Sequence, residues 1–260
     1  PRERFRLPGG PMNNVLISLT ARQLLGRRRT LVIGLLLALP ILIAVIYRFS
    51  DEAGSGEATG EFALGLVSVM IFTLLLPLVA LVFGTASLGA EIDDGTAVFL
   101  LTKPIERWRI IAIKIGVASV AAALFVVPTT MATIWIIHES PTADGLMLGL
   151  GLGALVASVL YCAAFVALSA VTSRALIFGL IYVFVWETFA TRIFDSLRWV
   201  SIREYAYGWS DAIISINDKG VFYDPHLGVT TAIVGTMVVL ATACAGGTRA
   251  LTRFEIGERA

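Results

Sequence analysis

An all-α integral membrane protein with six spanning helices is the fold class this sequence predicts, and three observations predict it. Only 15% of the 260 residues are charged and 57% are hydrophobic, whereas a soluble domain carries about 25% charged residues. The apolar residues fall in long unbroken runs, near the roughly 20 residues a helix needs to cross a bilayer. Those runs do not alternate apolar and polar positions, so they read as helices and not as barrel strands. Lipid cannot satisfy a bare backbone, which leaves helices as the spanning elements.

The elements follow in chain order, as parts of a single transmembrane domain over 1–260. Residues 13–29, "NNVLISLTARQLLGRRR", are basic and amphipathic, which fits a helix lying on the cytoplasmic interface. The chain opens on Pro1 without a Met, so a start further upstream is expected, and no signal peptide is read. The first apolar run is Leu31–Tyr47; "IYRFSDEAG" after it lacks a small-x-small cleavage pattern. The second is Phe62–Ala90, the third runs from about Ile110 to Ile137, and the fourth from Gly145 to Val171. The fifth, Ala175–Thr191, is broken only by Glu187, and the sixth is Leu227–Thr248. Pro40, Pro77 and Pro128 fall inside the first three runs and are expected as kinks that neighbouring helices accommodate. Gly145, Gly149, Gly151 and Gly153 permit close packing of the fourth run. Cys162 and Cys244 lie in apolar runs and read as small buried hydrophobes.

Orientation follows from Lys and Arg in the connections. With the N-terminus inside, the cytoplasmic side holds Arg2, Arg4, Arg6, Arg22, Arg27, Arg28, Arg29, Lys103, Arg107, Arg109, Lys114, Arg174, Arg249, Arg253 and Arg259. The outside holds only Arg48, Arg192, Arg198, Arg203 and Lys219. That asymmetry predicts N-in, C-in. The acidic, Gly-rich "SDEAGSGEATG" (50–60) and "HESPTADG" (138–145) become external connections, and "TSR" (172–174) a tight cytoplasmic turn. Residues 192–226 form a long external segment rich in Trp and Tyr. Ile193, Leu197 and Val200 in it sit at helical spacing, so part of it is expected on or in the outer leaflet.

The cytoplasmic stretch "EIDDGTAVFLLTKPIERWR", 91–109, separates the uncharged runs Phe62–Ala90 and Ile115–Ile137. The second run is about 43 Å long at 1.5 Å per residue, against a hydrocarbon core of about 30 Å. Such a helix must tilt, kink, for which Pro77 is placed, or project into the cytoplasm, and projection would carry Glu91 past the lipid. Asp93 and Asp94 suit the N-terminus of a short helix over 95–101, with Asp94, Val98 and Leu101 on one face. Pro104 ends it and pushes Lys103 out of helical geometry. Arg107 and Arg109 mark re-entry into the membrane. A rigid amphipathic element between two spans and an ordinary loop with positive-inside charges both fit this spacing.

The pattern Gly89-x-Glu91-x-x-x-Gly95-Thr96, followed by Leu100-Leu101-Thr102-Lys103-Pro104-Ile105 and Arg107, resembles the signature of ABC-2 type transporter permeases. The resemblance extends over nearly the whole chain, through the amphipathic N-terminal helix, the six runs and the Trp186-Glu187 pair before the external hairpin. It implies that 91–107 is a coupling helix seated in a cleft of an ATP-hydrolysing subunit, through Glu91, Asp93, Asp94, Gly95, Thr96, Leu101, Lys103, Pro104 and Arg107 as one unit. It further implies a permease dimer, of two copies or one copy and a paralogue, with two ABC ATPase subunits and membrane lipid around it, in a bacterial inner membrane. An exporter of an amphipathic or lipid-like cargo is the expectation; glycolipid, drug, peptide and polysaccharide are all compatible with it.

The chain has no G-x-x-x-x-G-K-[ST], so it has no P-loop to cradle nucleotide phosphates. It is expected not to be an enzyme by itself and to bind no cofactor; ATP and Mg belong to a separate ATPase polypeptide. His138 and His226 lie far apart, and no H-E-x-x-H, Cys/His cluster or G-x-S-x-G occurs, so a metal site, a metalloprotease and a serine hydrolase lack their residues. No nucleic-acid partner is expected. Glu187 is the unusual residue, because an ionisable group in a span is costly. Two readings stand for it: a cargo-pathway or gating residue, and a tie from the fifth run to the external segment through Arg192 or Arg198. Phe178, Tyr182 and Trp186 recur at four-residue spacing on the same run and either pack or line the cargo route. A scaffold or regulator that recruits a cytoplasmic partner through 91–107 is the alternative to transport.

Overall fold

In the computed structural model of the chain, the described residues are 27–50, 56–93, 106–138, 145–190, 193, 195–214, 223 and 226–257. They are helical with no strand among them. Among the described residues, five helices are long and apolar enough to cross a membrane: Arg29–Arg48, Thr59–Gly89, Arg107–Ile137, Leu146–Val171 and Val229–Thr252. Four of the five sit where the long apolar runs predict them to within three residues at each end; the last carries its apolar stretch four residues past Thr248.

Helix α1 (Arg27–Arg48) keeps Pro40 inside it. It buries Ile33, Leu37 and Ala44, while Leu31, Leu35, Leu39 and Leu42 stay exposed. The buried set repeats at steps of four and seven, one stripe of a 3.6-residue helix, and it faces mainly the third spanning helix. The next helix is continuous from Gly56 to Asp93 in three parts: α2 (Gly56–Leu66), a π-helical stretch (Val67–Leu75) and α3 (Leu76–Asp93). Residues 56–60, expected in an external loop, are therefore already helical. The π stretch ends just before Pro77, which has no N–H to offer the carbonyl four residues back; Leu76 N–H reaches instead to Ile71 O, five residues back.

Helix α4 (Arg107–Ile137) runs back, with Pro128 inside it. Phe83 and Phe125 stack at 6.0 Å between α3 and α4. Lys114, expected among the cytoplasmic charges, is only 1% exposed and belongs to the packed interior. Helix α5 (Leu146–Val171) is the central post. It is apolar all round, as an enclosed helix must be, and packs on α3, α4 and two later helices. After the turn at Ser173–Arg174 come α6 (Ala175–Ile181) and a second π stretch (Tyr182–Ala190).

Among the described residues this helix covers Ala175–Ala190, fewer than the roughly 20 residues a crossing needs. A 3-10 turn (Asp195–Val200), helix α7 (Ile202–Asp211) and the long α8 (Val229–Gly257) complete the order.

Helix α7 does not lie on the surface. Ser201, Ile202, Arg203, Glu204, Ala206, Tyr207, Gly208 and Ser210 are all buried, and the helix packs on α5 and α8. The element of the 192–226 segment that enters the bundle is thus α7, while Ile193 and Val200, which the helical spacing pointed to, are exposed. Glycines make its seat. A Cβ on Gly149 would stand 2.8 Å from Ser210 O, and one on Gly153 would meet the Ser210 hydroxyl and, at 3.0 Å, Ala206 O. Gly145 starts α5 at φ 69°, open to glycine, with Ile213 O against it. The order of these contacts sets the direction: the C-terminal end of α7 meets the Gly145 end of α5, and its N-terminal end lies deeper along α5.

Candidate functional site

Two places hold the residues to which the sequence pointed. The first is the connection between α3 and α4. Asp93 is the last helical residue of α3 and Glu91 lies in its final turn. Asp94, Gly95, Thr96, Leu101, Lys103 and Pro104, with the expected short helix over 95–101, lie outside the described residues. On the other side, Arg107 opens α4 and its Nη1 donates to Leu251 O at 3.4 Å, which ties the start of α4 to α8. Glu106 and Arg109 form an ion pair at 2.8 Å, Trp108 Nε1 donates to Glu106 Oε2 at 3.1 Å, and the Arg109 guanidinium lies 5.5 Å from the Trp108 ring centre. Thr59–Gly89 and Arg107–Ile137 each have 31 residues, about 46 Å at 1.5 Å per residue. Both overrun the hydrocarbon core by roughly half its thickness.

The second place is a polar junction inside the bundle, centred on Glu187. Its side chain is fully buried, and an isolated carboxylate there would be very costly. Hydrogen-bond donors converge on it. Tyr182 OH donates to Oε1 at 3.1 Å, the Ser201 hydroxyl to Oε2 at 2.6 Å, and Ile202 N–H to Oε1 at 3.1 Å. Ser201 and Ile202 are the N-cap and first residue of α7. The first N–H groups of a helix lack internal partners and its N-terminus carries partial positive charge, so Glu187 supplies both a partner and a counter-charge. Arg203 lies within electrostatic reach of Glu187, Tyr161 and Tyr207.

Arg203 extends the junction to the other π stretch. Its Nη1 donates to Thr73 Oγ1 at 2.9 Å, Thr73 Oγ1 donates to Ser68 O at 2.9 Å, and Tyr207 OH approaches Ser68 O at 3.5 Å. Phe72 and Tyr207 rings lie 5.2 Å apart. In α4, threonine hydroxyls bond the carbonyl four residues back, as in Thr129 to Phe125, Thr130 to Val126 and Thr133 to Thr129. In the two π stretches the step is five: Thr73 to Ser68 and Thr188 to Val183. The side chains have adopted the register of the widened backbone.

Glu187 is tied to the 192–226 segment through Ser201 and the Ile202 amide; Arg192, one of the two expected partners, lies outside the described residues. Phe178, Tyr182 and Trp186 do not share one environment: Phe178 is 51% exposed, while Tyr182 and Trp186 are half-buried and Tyr182 meets Phe165 edge-on at 6.3 Å. Thr73, Ser201, Arg203 and Tyr207 are junction residues that sequence reasoning missed. One signal was there: Ser201-x-x-Glu204 is the spacing of a helix N-terminus, and it stands at the start of α7. Among the described residues no group of three or more His, Cys, Asp and Glu could hold a metal ion. Cys162 and Cys244 are free thiols.

A family model described as ABC-2 family transporter protein matches residues 16–244. None of the curated proteins matches the chain.

Proposed function

This chain belongs to the ABC-2 family of transporter proteins, and from that premise we propose that it is the membrane-spanning permease subunit of an ATP-driven exporter. A separate ABC ATPase energises it, docking on the segment 91–107. The observation that carries this reading is the match over 16–244 combined with the two 31-residue helices on either side of that segment. Both are longer than the hydrocarbon core is thick, which supports a charged connection that stands clear of the membrane face within reach of a soluble subunit. The bond from Arg107 to Leu251 O couples a push on the segment to α8 as well as to α4.

In this reading the topology is N-in, C-in. Ala175–Ala190 serves as a sixth, short crossing, completed toward the outside by α7 and its flanks. Two permeases, identical or paralogous, stand side by side, each with one ATPase, and ATP and Mg bind to the ATPases alone. The permease performs no chemistry by itself. The cargo is amphipathic or lipid-like, and the membrane is a bacterial inner membrane.

The test is co-expression of the chain with an ABC ATPase from its gene neighbourhood, followed by co-purification and ATP hydrolysis assays. Wild type should co-elute and stimulate hydrolysis, and Glu91→Arg/Gly95→Trp should lose both. Equal binding of the ATPase to wild type and double variant would make 91–107 an ordinary loop. Absence of any ATPase binding would favour a scaffold.

A further inference from the structure

The two π stretches face a common element. Val67–Leu75 and Tyr182–Ala190 are nine residues each and touch one another. π-Helical turns are rare and occur mostly as single turns, so two long ones side by side need a physical cause. Neither contains Pro or Gly, and Pro77 accounts only for the end of the first. What they share is helix α7. Glu187 of the second stretch binds the N-terminus of α7 through Ser201 and Ile202. Thr73 of the first binds Arg203 of α7.

We propose that Glu187 and Arg203 are positioning residues: from the N-terminus of α7 they hold both π stretches in register, so that the two helices change register together when α7 moves. The junction suits this role on three grounds. Its bonds are charge-assisted and buried, and such bonds exceed neutral ones in strength. Both charges rest on α7 and its N-terminus, so neither stretch can leave π register without abandoning a buried charge or dragging α7 along. The hydroxyls of Thr73 and Thr188 add internal bonds at five-residue steps that exist only in this register. Absorbing one π-turn residue into α geometry advances the rest of a helix by about 1.5 Å and turns it by about 100°. A small displacement of α7 is thereby converted into a large rotation of two neighbouring helices. This holds whether or not the transporter reading does, and its test needs neither ATPase nor cargo.

Spin-label distances on the full chain in lipid nanodiscs provide that test. Cys162→Ala/Cys244→Ser serves as background, diluted with unlabelled chain so that only distances within one chain are read. One label pair is Val69→Cys with Val120→Cys, and the other Phe189→Cys with Val120→Cys; all three positions are exposed. A 100° turn moves a side-chain atom about 5 Å from the helix axis by about 8 Å. Glu187→Gln, which disturbs the second stretch directly, should shift the Val69 pair as well as the Phe189 pair by several ångströms. Arg203→Gln should likewise shift the Phe189 pair along with the Val69 pair. Thr236→Val, which removes only the partner of Trp209 Nε1 on α8, should leave both pairs in place. If each variant shifts only the pair on its own stretch, or shifts neither, the proposal is overturned. Ser201→Ala keeps every charge while removing one bond to Glu187, and gives the same reading should Glu187→Gln fail to fold.

Discussion

Replacing Gly153 by alanine adds one methyl group at the closest approach of α5 and α7, and its effect can be worked out atom by atom. The new Cβ meets the Ser210 hydroxyl, then Ala206 O at 3.0 Å and the Phe72 ring at 3.4 Å. Ser210 can rotate away, but it then gives up its own bond to Ala206 O, now 3.1 Å, worth about 1 kcal/mol. Ala206 O is backbone, held in a helix, and cannot rotate. Overpacking of this kind costs about 1–3 kcal/mol. Against it stands a helix-propensity gain of about 1 kcal/mol for Gly→Ala. The net is a loss of about 2 kcal/mol, or roughly 4–8 °C in melting temperature for a chain of this size. Gly116→Ala is the control, since nothing lies within 4 Å of the Cβ it would add. It should gain stability by about 0.5–1 kcal/mol. Thermal melting of both variants in detergent, followed by size-exclusion chromatography, decides. If Gly153→Ala melts at or above wild type, the seat of α7 on α5 is not the close contact described here.

Further outcomes follow from other parts of the structure. Phe83→Ala empties a fully buried site stacked on Phe125 and should destabilise by about 3–5 kcal/mol, read in the same melting assay. Cys162 is 0% exposed, so in a Cys244→Ser background a maleimide should add no mass to the folded protein and one label after denaturation in SDS. A cysteine placed at Ser173 in a Cys162→Ala/Cys244→Ser background should be labelled by an impermeant reagent only from the cytoplasmic side; labelling from outside would reverse the proposed topology. Arg107→Ala removes the bond at 3.4 Å to Leu251 O, whose net worth is about 0.5–1.5 kcal/mol, and should lower stability by at least that amount in the same melting assay.

The positions of the long helices were legible from composition and run length alone. Burial in lipid imposes the same demand on every residue of a span, so the signal is local and adds up along the chain. The four glycines of α5 were legible as packing positions, because close approach has only small residues to work with. The sequence by itself thus determined that this is a multi-pass helical protein, roughly where each long helix lies, and, through the 89–107 motif, its family. The π register of Val67–Leu75 and Tyr182–Ala190 was not legible, since an apolar run does not show where a helix widens. The partners of Glu187 were not legible either. The carboxylate accepts from the N-terminus of α7, and Arg203 of that helix reaches across 130 positions to Thr73. Only the tertiary structure decided this: a buried charge takes the partner that packing brings within hydrogen-bond distance, and that depends on which helices share a core rather than on separation along the chain.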